Sequence, residues 1–175
     1  MTLRLAFDNR KMLLAHVNAR SELHGEERQA AGDLKFEARL SNEVLSELHP
    51  SLKSALYHLD SGKPADLVDQ ARVGEPGYLP HLKFPQLGGA FKWEGEMQGV
   101  TVIVTPEGGK AIELSGAKLN NVSFVALDGG TVELSFRVQS HPDEKQFGKL
   151  CGGMIQTEVA VSVVPQEEPA PPPIA

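Results

Sequence analysis

The chain has 175 residues, of which 41% are hydrophobic and 23% charged, so one folded domain with a single core is expected. Its net charge of −6, without a run of lysine or arginine, disfavours general nucleic-acid binding, which depends on basic side chains that neutralise phosphates. The single cysteine excludes an internal disulfide bond and a cysteine-rich zinc knuckle.

The N-terminal segment MTLRLAFDNRK carries charges and no long apolar stretch, which argues against a signal peptide. Apolar runs elsewhere are too short to span a bilayer. We therefore expect a soluble protein of the cytoplasm, with no membrane partner and no cofactor.

The first third of the chain predicts strands followed by helices. LRLAF and MLLAHVNA indicate two short strands, and apolar residues alternate with polar ones over 33–40, which predicts a third. Apolar residues then recur at helical spacing, which predicts two short helices within 42–59. Pro50 lacks an amide hydrogen and should separate them.

The middle of the chain, residues 60–96, is predicted to be a long irregular loop. It contains four prolines and repeated glycines, and its apolar residues follow neither a helical nor a strand period. A loop of this length inside a small domain is often functional.

Two hairpins are predicted next. GVTVIVT at 99–105 and AIELSGAKL at 111–119 flank the turn PEGG, and Gly116 suits a bulge in the second strand. NVSFVAL and TVELSFRVQ flank DGG at 128–130, where glycine supplies the positive φ that a tight turn requires.

The last part of the chain predicts a short helix near 142–151, a strand at 158–164 and a disordered proline-rich tail at 165–175. The predicted fold is therefore mainly β with a helical insertion (α+β), an antiparallel β-sandwich or open barrel within a single domain of residues 1–164. An exposed edge at 158–164 would allow a homodimer by strand pairing.

SHPDEKQFGKLCGGM, residues 140–154, holds the residue types of a catalytic site. A nucleophilic Cys151 would need His141 within hydrogen-bonding reach, yet a helix places them at opposite ends. On that helix Cys151 shares an apolar stripe with Phe147 and Leu150, which predicts a small buried side chain. His141 and Asp143 offer a weak pair of metal ligands, and we assign neither catalytic nor metal-binding residues.

Aromatic residues of the long loop are the best candidates for partner binding. Aromatic side chains on such a loop act either as interface anchors or as plugs that fold back onto the core. Lysines next to two of them suit an interface as well. The candidate partner-binding residues are Tyr78, Lys83, Phe84, Phe91, Lys92 and Trp93.

Three stretches of the chain resemble a family of small phage and prophage proteins: LKFEARLSNEVLSELHPSLKSALY, FPQLGGAFKWEGEMQGVTVIV and LNNVSFVALDGGTVELSFRVQSHPDEKQFGKL. The resemblance covers roughly residues 12–164. Members of the family are encoded among early genes, near replication and recombination functions, and have no settled activity. The resemblance implies a phage-encoded accessory protein in a bacterial cell and carries over no catalytic residues.

The sequence leaves three possible functions open. The favoured one is a non-catalytic accessory protein that binds a host or phage protein, either a recombination or replication factor or a component of host defence. The second is a single-stranded nucleic-acid binder, in which exposed aromatics stack bases beside lysines. The third is a metal-dependent hydrolase centred on His141 and Asp143.

Overall fold

The computed structural model describes residues 3–60, 66–72, 74–168 and 170–174. The parts of the predicted domain, loop and tail at 1–2, 61–65, 73, 169 and 175 lie outside the described residues. No helix within the described ranges is long and apolar enough to cross a membrane.

The chain is mainly β, and six of its strands form a closed antiparallel barrel. In chain order the strands are β1 (Phe7–His24), β2 (Glu27–Ser41), β3 (Tyr57–His58), β4 (His81–Leu82), β5 (Phe91–Trp93), β6 (Met97–Pro106), β7 (Ile112–Leu127), β8 (Thr131–Ser140) and β9 (Glu158–Val164). The barrel order is β7-β6-β9-β1-β2-β8, and pairing of β8 with β7 completes the ring. The mainly β prediction is confirmed.

The sandwich was wrong, and the barrel is closed where an open one was predicted, because β7 closes the sheet on itself. This strand is 16 residues long. Residues 112–119 pair with β6 on one edge, whereas 118–127 pair with β8 on the other. β5 adds to the edge that β6 leaves free, where Phe91 lies opposite Phe124.

The barrel interior is the hydrophobic core, and period-two alternation builds it. In β8 the inward residues Val132, Leu134, Phe136 and Val138 are all at most 1% exposed. Phe136 stacks on Phe36 of β2 with ring centroids 5.5 Å apart. The outward residues remain in contact with water, as expected for strands that line a core on one face only.

Both predicted hairpins are confirmed. Leu127 pairs with Thr131 across the three-residue loop 128–130, and the two glycines of that loop have φ of 95° and 84°. In the β6–β7 hairpin the register shifts between Val100 and Val102, at the level of Gly116, whose φ is 62°. Gly116 therefore forms the predicted bulge.

The N-terminal strands differ from the prediction, because MLLAHVNA is part of one 18-residue strand. β1 contains two register shifts, one after Phe7 and one after Leu14, and Asn9 has φ of 45°. These irregularities interrupt the alternation that sequence reading relies on. The LRLAF segment lies mostly ahead of β1, and its Leu3 and Leu5 are buried.

Strand β9 does not offer the exposed edge predicted for a homodimer. It lies between β1 and β6 and pairs with both. Val102 faces Val163 on one side, and Met12 faces Val159 on the other. Both edges of the strand are therefore occupied within the chain.

The two short helices predicted within 42–59 are confirmed as α1 (Val44–Leu48) and α2 (Leu52–Leu56). α1 buries Val44, Leu45 and Leu48. Tyr57, directly after α2, is 1% exposed and donates its hydroxyl hydrogen bond to the carbonyl of Leu127 at 2.8 Å. The helices thereby pack against the barrel near the β7–β8 turn.

Residues 60–96 contain more regular structure than the sequence predicts. They include α3 (Leu67–Arg72) and the strands β4 and β5, and β4 pairs with β3. Elements of two to six residues are too short to produce a recognisable hydrophobic period. In the tail, residues 165–168 and 170–174 form neither helix nor strand.

The helix predicted near 142–151 is α4 (Glu144–Lys149), continued by a π-helix at Leu150–Met154. Asp143 and Gln146 form a capping box at the start of α4. Leu150 and Met154 are buried, whereas Cys151 is exposed. The burial predicted for Cys151 was wrong, because this turn packs Leu150 and Met154 into the core and leaves Cys151 on its outer side.

Candidate functional site

The long loop is organised around the buried carboxylate of Asp69 in α3, which is 7% exposed. The hydroxyl of Tyr78 donates to Oδ1 of Asp69 at 2.8 Å, and Nε2 of His81 lies 2.8 Å from Oδ2. The guanidinium of Arg72 covers the Tyr78 ring at 4.2 Å from its centroid. Three separated parts of the loop therefore converge on one acid.

The electrostatics of this cluster favour an ion pair. The hydrogen bonds from Tyr78 and from His81 lower the pKa of Asp69. Burial acts to lower the pKa of His81, but the hydrogen bond and the charge of Asp69 outweigh it, so that the pKa is raised. The geometry of the pair is that of a clamp, because Asp69 ties together the parts of the loop that carry Tyr78 and His81.

Hydrogen bonds to the barrel side and to α2 hold the loop in place on both sides of β4. The Asn42 side chain donates to the carbonyl of Leu79 at 2.8 Å, and the amide of Gly129 donates to the carbonyl of Pro80 at 2.7 Å. The amide of Lys83 donates to the carbonyl of Leu56 at 2.9 Å. The segment that precedes Phe84 is thus fixed by the backbone.

The structure separates the four predicted aromatic residues. Tyr78 belongs to the Asp69 cluster, and Phe91 packs on Phe124 with ring centroids 5.5 Å apart. Trp93 is partly buried and packs against the core. Phe84 is 59% exposed, and it alone of the four presents most of its ring to solvent.

Phe84 has an apolar neighbour that the sequence analysis did not single out. The amide of Leu87 donates to the carbonyl of Phe84 at 2.9 Å, which closes a turn, and Leu87 is 55% exposed. Lys83 and Lys92 are also exposed, and residues 81–92 contain no acidic residue. The sequence FPQL, with proline directly after Phe84, is the turn pattern that would have identified this pair.

A groove on the outer face of the barrel, across β1, β2, β7 and β8, is lined by side chains of both signs and not by cations alone. Arg39 pairs with Glu133 at 2.7 Å, and Lys35 pairs with Glu37 at 3.0 Å. These acids neutralise the cations that would otherwise face phosphates.

His141, Asp143 and Cys151 do not form a catalytic triad. Oδ1 of Asp143 accepts the amide of Gln146 at 2.7 Å, as the cap of α4. Nε2 of His141 instead lies 2.9 Å from Oε2 of Glu22 on the long hairpin of β1 and β2. The predicted pairing of His141 with Asp143 is thus replaced by a contact that the sequence analysis missed.

Comparison of the chain with protein-family models, with curated proteins and with solved structures returned no match.

Proposed function

We propose that this protein is a non-catalytic binding module, encoded by a phage or prophage, that engages a host or phage protein in the bacterial cytoplasm. Recombination or replication factors and components of host defence are the proposed targets. The resemblance of residues 12–164 to small phage proteins supports the setting. The exposed apolar turn at Phe84 and Leu87 supports the mode of action.

The distribution of exposed apolar side chains carries this proposal. Among the described residues eight large apolar side chains are strongly exposed, and five of them fall between positions 59 and 87. These five are Leu59, Leu67, Val68, Phe84 and Leu87. Exposed apolar groups that lie together are typical of an interaction surface, whereas single scattered ones are ordinary. Two of the five, Phe84 and Leu87, share one hydrogen-bonded turn.

The hydrogen bonds that hold the loop strengthen the proposal, because a segment with a fixed backbone binds with a smaller entropic cost than a mobile one. Phe84 follows a backbone that is hydrogen-bonded to Leu56 and to the Asp128 side chain. An aromatic side chain on a rigid support is the type of residue that contributes most to protein interfaces.

Charge defines the partner further. Residues 81–92 carry two exposed lysines and no acid within a chain of net charge −6. The partner surface that fits them is an apolar pocket for Phe84 and Leu87 with acidic residues at its rim. Complementary charges of this kind accelerate association and select the partner.

Single-stranded nucleic acid fits this surface less well. Proteins that bind it stack successive bases on several aromatic faces along a basic groove. Here Phe91 and Trp93 pack against the barrel, and the groove on the outer face has paired charges. Phe84 alone does not provide such a platform.

A photoreactive benzoyl-phenylalanine at position 84, in the full chain expressed in bacteria, tests the proposal. We expect irradiation to give one discrete cross-linked protein. In an affinity pull-down of the partner identified by that cross-link, the double variant Phe84→Ser/Leu87→Ser should lose the partner while it keeps the wild-type Tm, because both side chains are exposed. Leu23→Ser is the matched control, since Leu23 is 70% exposed on the β1–β2 hairpin.

Loss of the partner in Leu23→Ser, or its retention in the double variant, contradicts the loop as the binding surface. A fluorescent single-stranded oligonucleotide distinguishes the alternative. Binding at low salt that weakens steeply as salt rises would identify the surface as a nucleic-acid site instead.

A further inference from the structure

A cluster of residues that can bind a metal ion lies away from the long loop. It is found where the β1–β2 hairpin meets the end of β8. Ligand atoms of Glu22, His24 and His141 all lie within 4.8 Å of one another, and this is the one such group among the described residues. We propose that these three residues bind a Zn²⁺ ion. The proposal is independent of the loop that carries Phe84.

The strand register explains why these residues meet. Glu22 and His24 are two positions apart on β1 and therefore project from the same face. Arg20 of β1 lies opposite Ala31 of β2, and Gly32 lies opposite Ser140 at the end of β8. His141 therefore begins two strands away from β1, about 10 Å across the sheet. The Glu22 and His141 side chains bridge this distance, with Oε2 of Glu22 2.9 Å from Nε2 of His141.

The observed separations suit a tetrahedral ion. Zn²⁺ holds nitrogen and oxygen ligands at about 2.0–2.2 Å, which places the ligand atoms roughly 3.4 Å apart. Oε2 of Glu22 lies 2.9 Å from Nε2 of His141 and 3.7 Å from Nε2 of His24. The third separation, between the ligand nitrogens of His24 and His141, is at most 4.8 Å, so the two imidazoles would have to approach each other to share one ion.

The surrounding residues fix the carboxylate in the orientation that a ligand needs. Arg20 contacts Oε1 of Glu22 and leaves Oε2 directed at the histidines. Asp33 holds Arg20 in turn, with contacts of 2.9 Å to Nε and 3.0 Å to Nη2, and Gln139 donates to Asp33 at 3.2 Å. Partners of this kind, one step behind the ligands, are characteristic of metal sites in proteins.

The donor set selects the ion. Two imidazoles with one carboxylate suit zinc and other late divalent transition metals, whereas Mg²⁺ and Ca²⁺ prefer oxygen ligands alone. The side chains of His24 and His141 are 58% and 39% exposed. Three protein ligands at such an accessible position leave a fourth place on zinc for water or for a donor from another molecule.

Binding would connect elements that are distant in the sequence. Glu22 and His24 belong to the part of the β1–β2 hairpin that extends past the core, where residues 27–30 are all exposed. His141 lies between β8 and α4. A zinc ion would therefore pin the hairpin to this corner of the barrel and raise its stability by linkage.

Zinc titration of the full chain, with its purification tag removed and against a competing chelator, tests the site. We expect one Zn²⁺ per chain, and a Tm that rises with zinc. His24→Ala and His141→Ala should weaken binding by more than the roughly 10–100-fold that loss of an outer partner costs, whereas Asp33→Asn should fall within that range. His16→Ala is the control, since His16 is an exposed histidine on the same strand.

Unchanged zinc affinity in His24→Ala and in His141→Ala overturns the site, as does an equal loss in His16→Ala or binding well below one ion per chain. The metal-free Tm of each variant shows that it is folded. Titration with Co²⁺ gives a second readout, because intense visible absorption bands indicate tetrahedral coordination. Their appearance in the wild type and absence in His141→Ala is the expected result.

Discussion

At the residue scale, Asp69 shows how one buried charge organises a loop. Its carboxylate receives the Tyr78 hydroxyl on one oxygen and lies against His81 on the other. A buried carboxylate is costly without such partners. The side chains of His81 and Asp69 are only 16% and 10% exposed, so water weakens this pair less than it would a surface pair.

This pair predicts a pH dependence with a definite sign. The pKa of His81 is raised in the folded state, so its contribution is complete below about pH 6.5, the usual value, and is lost as the pH rises through the raised value. The pKa of Asp69 is lowered, so its contribution is present above about pH 3.9 and is lost as the pH falls through the lowered value. We expect the pair to stabilise the loop most between these limits.

His81→Gln measures this effect. The difference in Tm between wild type and variant should be larger at about pH 5.5 than at about pH 9, because the wild-type pair has lost its positive charge at the higher pH. His16→Gln, at an exposed histidine of β1, is the control substitution. An equal gap at both pH values would show that His81 acts only as a neutral hydrogen-bonding group.

Individual site residues were the least predictable feature of the sequence. Phe84 was named together with three other aromatics, and only its place in a turn held by the backbone sets it apart. His141 was recognised as a ligand type, but its partners Glu22 and His24 are about 120 residues earlier, since the His141 contact spans 119 positions. Sequence spacing cannot indicate a contact that two strand pairings create.

At the scale of elements, two glycines with open space at Cβ differ only in the backbone. Neither Gly116 in the β7 bulge nor Gly148 in α4 would bring an added Cβ within 4 Å of another group. Gly116 has φ of 62°, whereas Gly148 lies within a helix. A difference in stability between alanine variants at these two positions would therefore not arise from steric contact of the added methyl group.

The two alanine variants should move stability in opposite directions. Gly116→Ala should destabilise the fold by about 1–2 kcal/mol, the cost of a left-handed conformation with a Cβ. Gly148→Ala should stabilise it by roughly 0.5–1 kcal/mol, because alanine loses less entropy in a helix. Urea unfolding of both variants measures these changes in stability. A Gly116→Ala variant as stable as the wild type would mean that the bulge can move along β7.

Hairpins and short helices were predictable because their determinants are local. DGG at 128–130, the bulge at Gly116 and the apolar spacing of α1 and α2 each lie within a few residues of the element that they define. β1 was divided because its bulges break the alternation. The π-helix that contains Cys151 has no such local pattern. Its orientation follows from the burial of Leu150 and Met154.

At the scale of the whole molecule, β9 completes the barrel. Its Val159, Val161 and Val163 are at most 2% exposed. Burial of each valine contributes about 1.5–3 kcal/mol, and the total stability of a domain is only about 5–15 kcal/mol. The strand also supplies hydrogen bonds to both β1 and β6.

Truncation should therefore have a sharp boundary. A chain that ends after Thr157 should lose the cooperative unfolding transition and the β signature in circular dichroism, whereas a chain that ends after Pro165 should keep both. The tail contributes exposed contacts such as Arg4 with Glu168 at 3.8 Å, worth less than about 1 kcal/mol. A cooperative transition in the shorter chain would contradict the role of β9.

Closure was not predictable from the sequence, although the strands were. Whether a sheet closes depends on pairings such as Phe7 with Val163, which join the two ends of the domain. Alternating side chains indicate a face that must be buried, and a sandwich and a barrel satisfy that requirement equally. The sheet closes into a barrel because β7 is long enough to pair with β6 through its first half and with β8 through its second half.

The position of β9 between β1 and β6 also sets an order of events during synthesis. β1 is the first of the six barrel strands to emerge from the ribosome and β9 is the last, so β1 cannot complete its pairing until β9 has been synthesised. Until then β1 and β6 each present an unpaired edge, the feature that leaves a nascent polypeptide most open to chaperones and to self-association. Assembly of the ring is consequently a late step, and its distant pairing makes it a slow one.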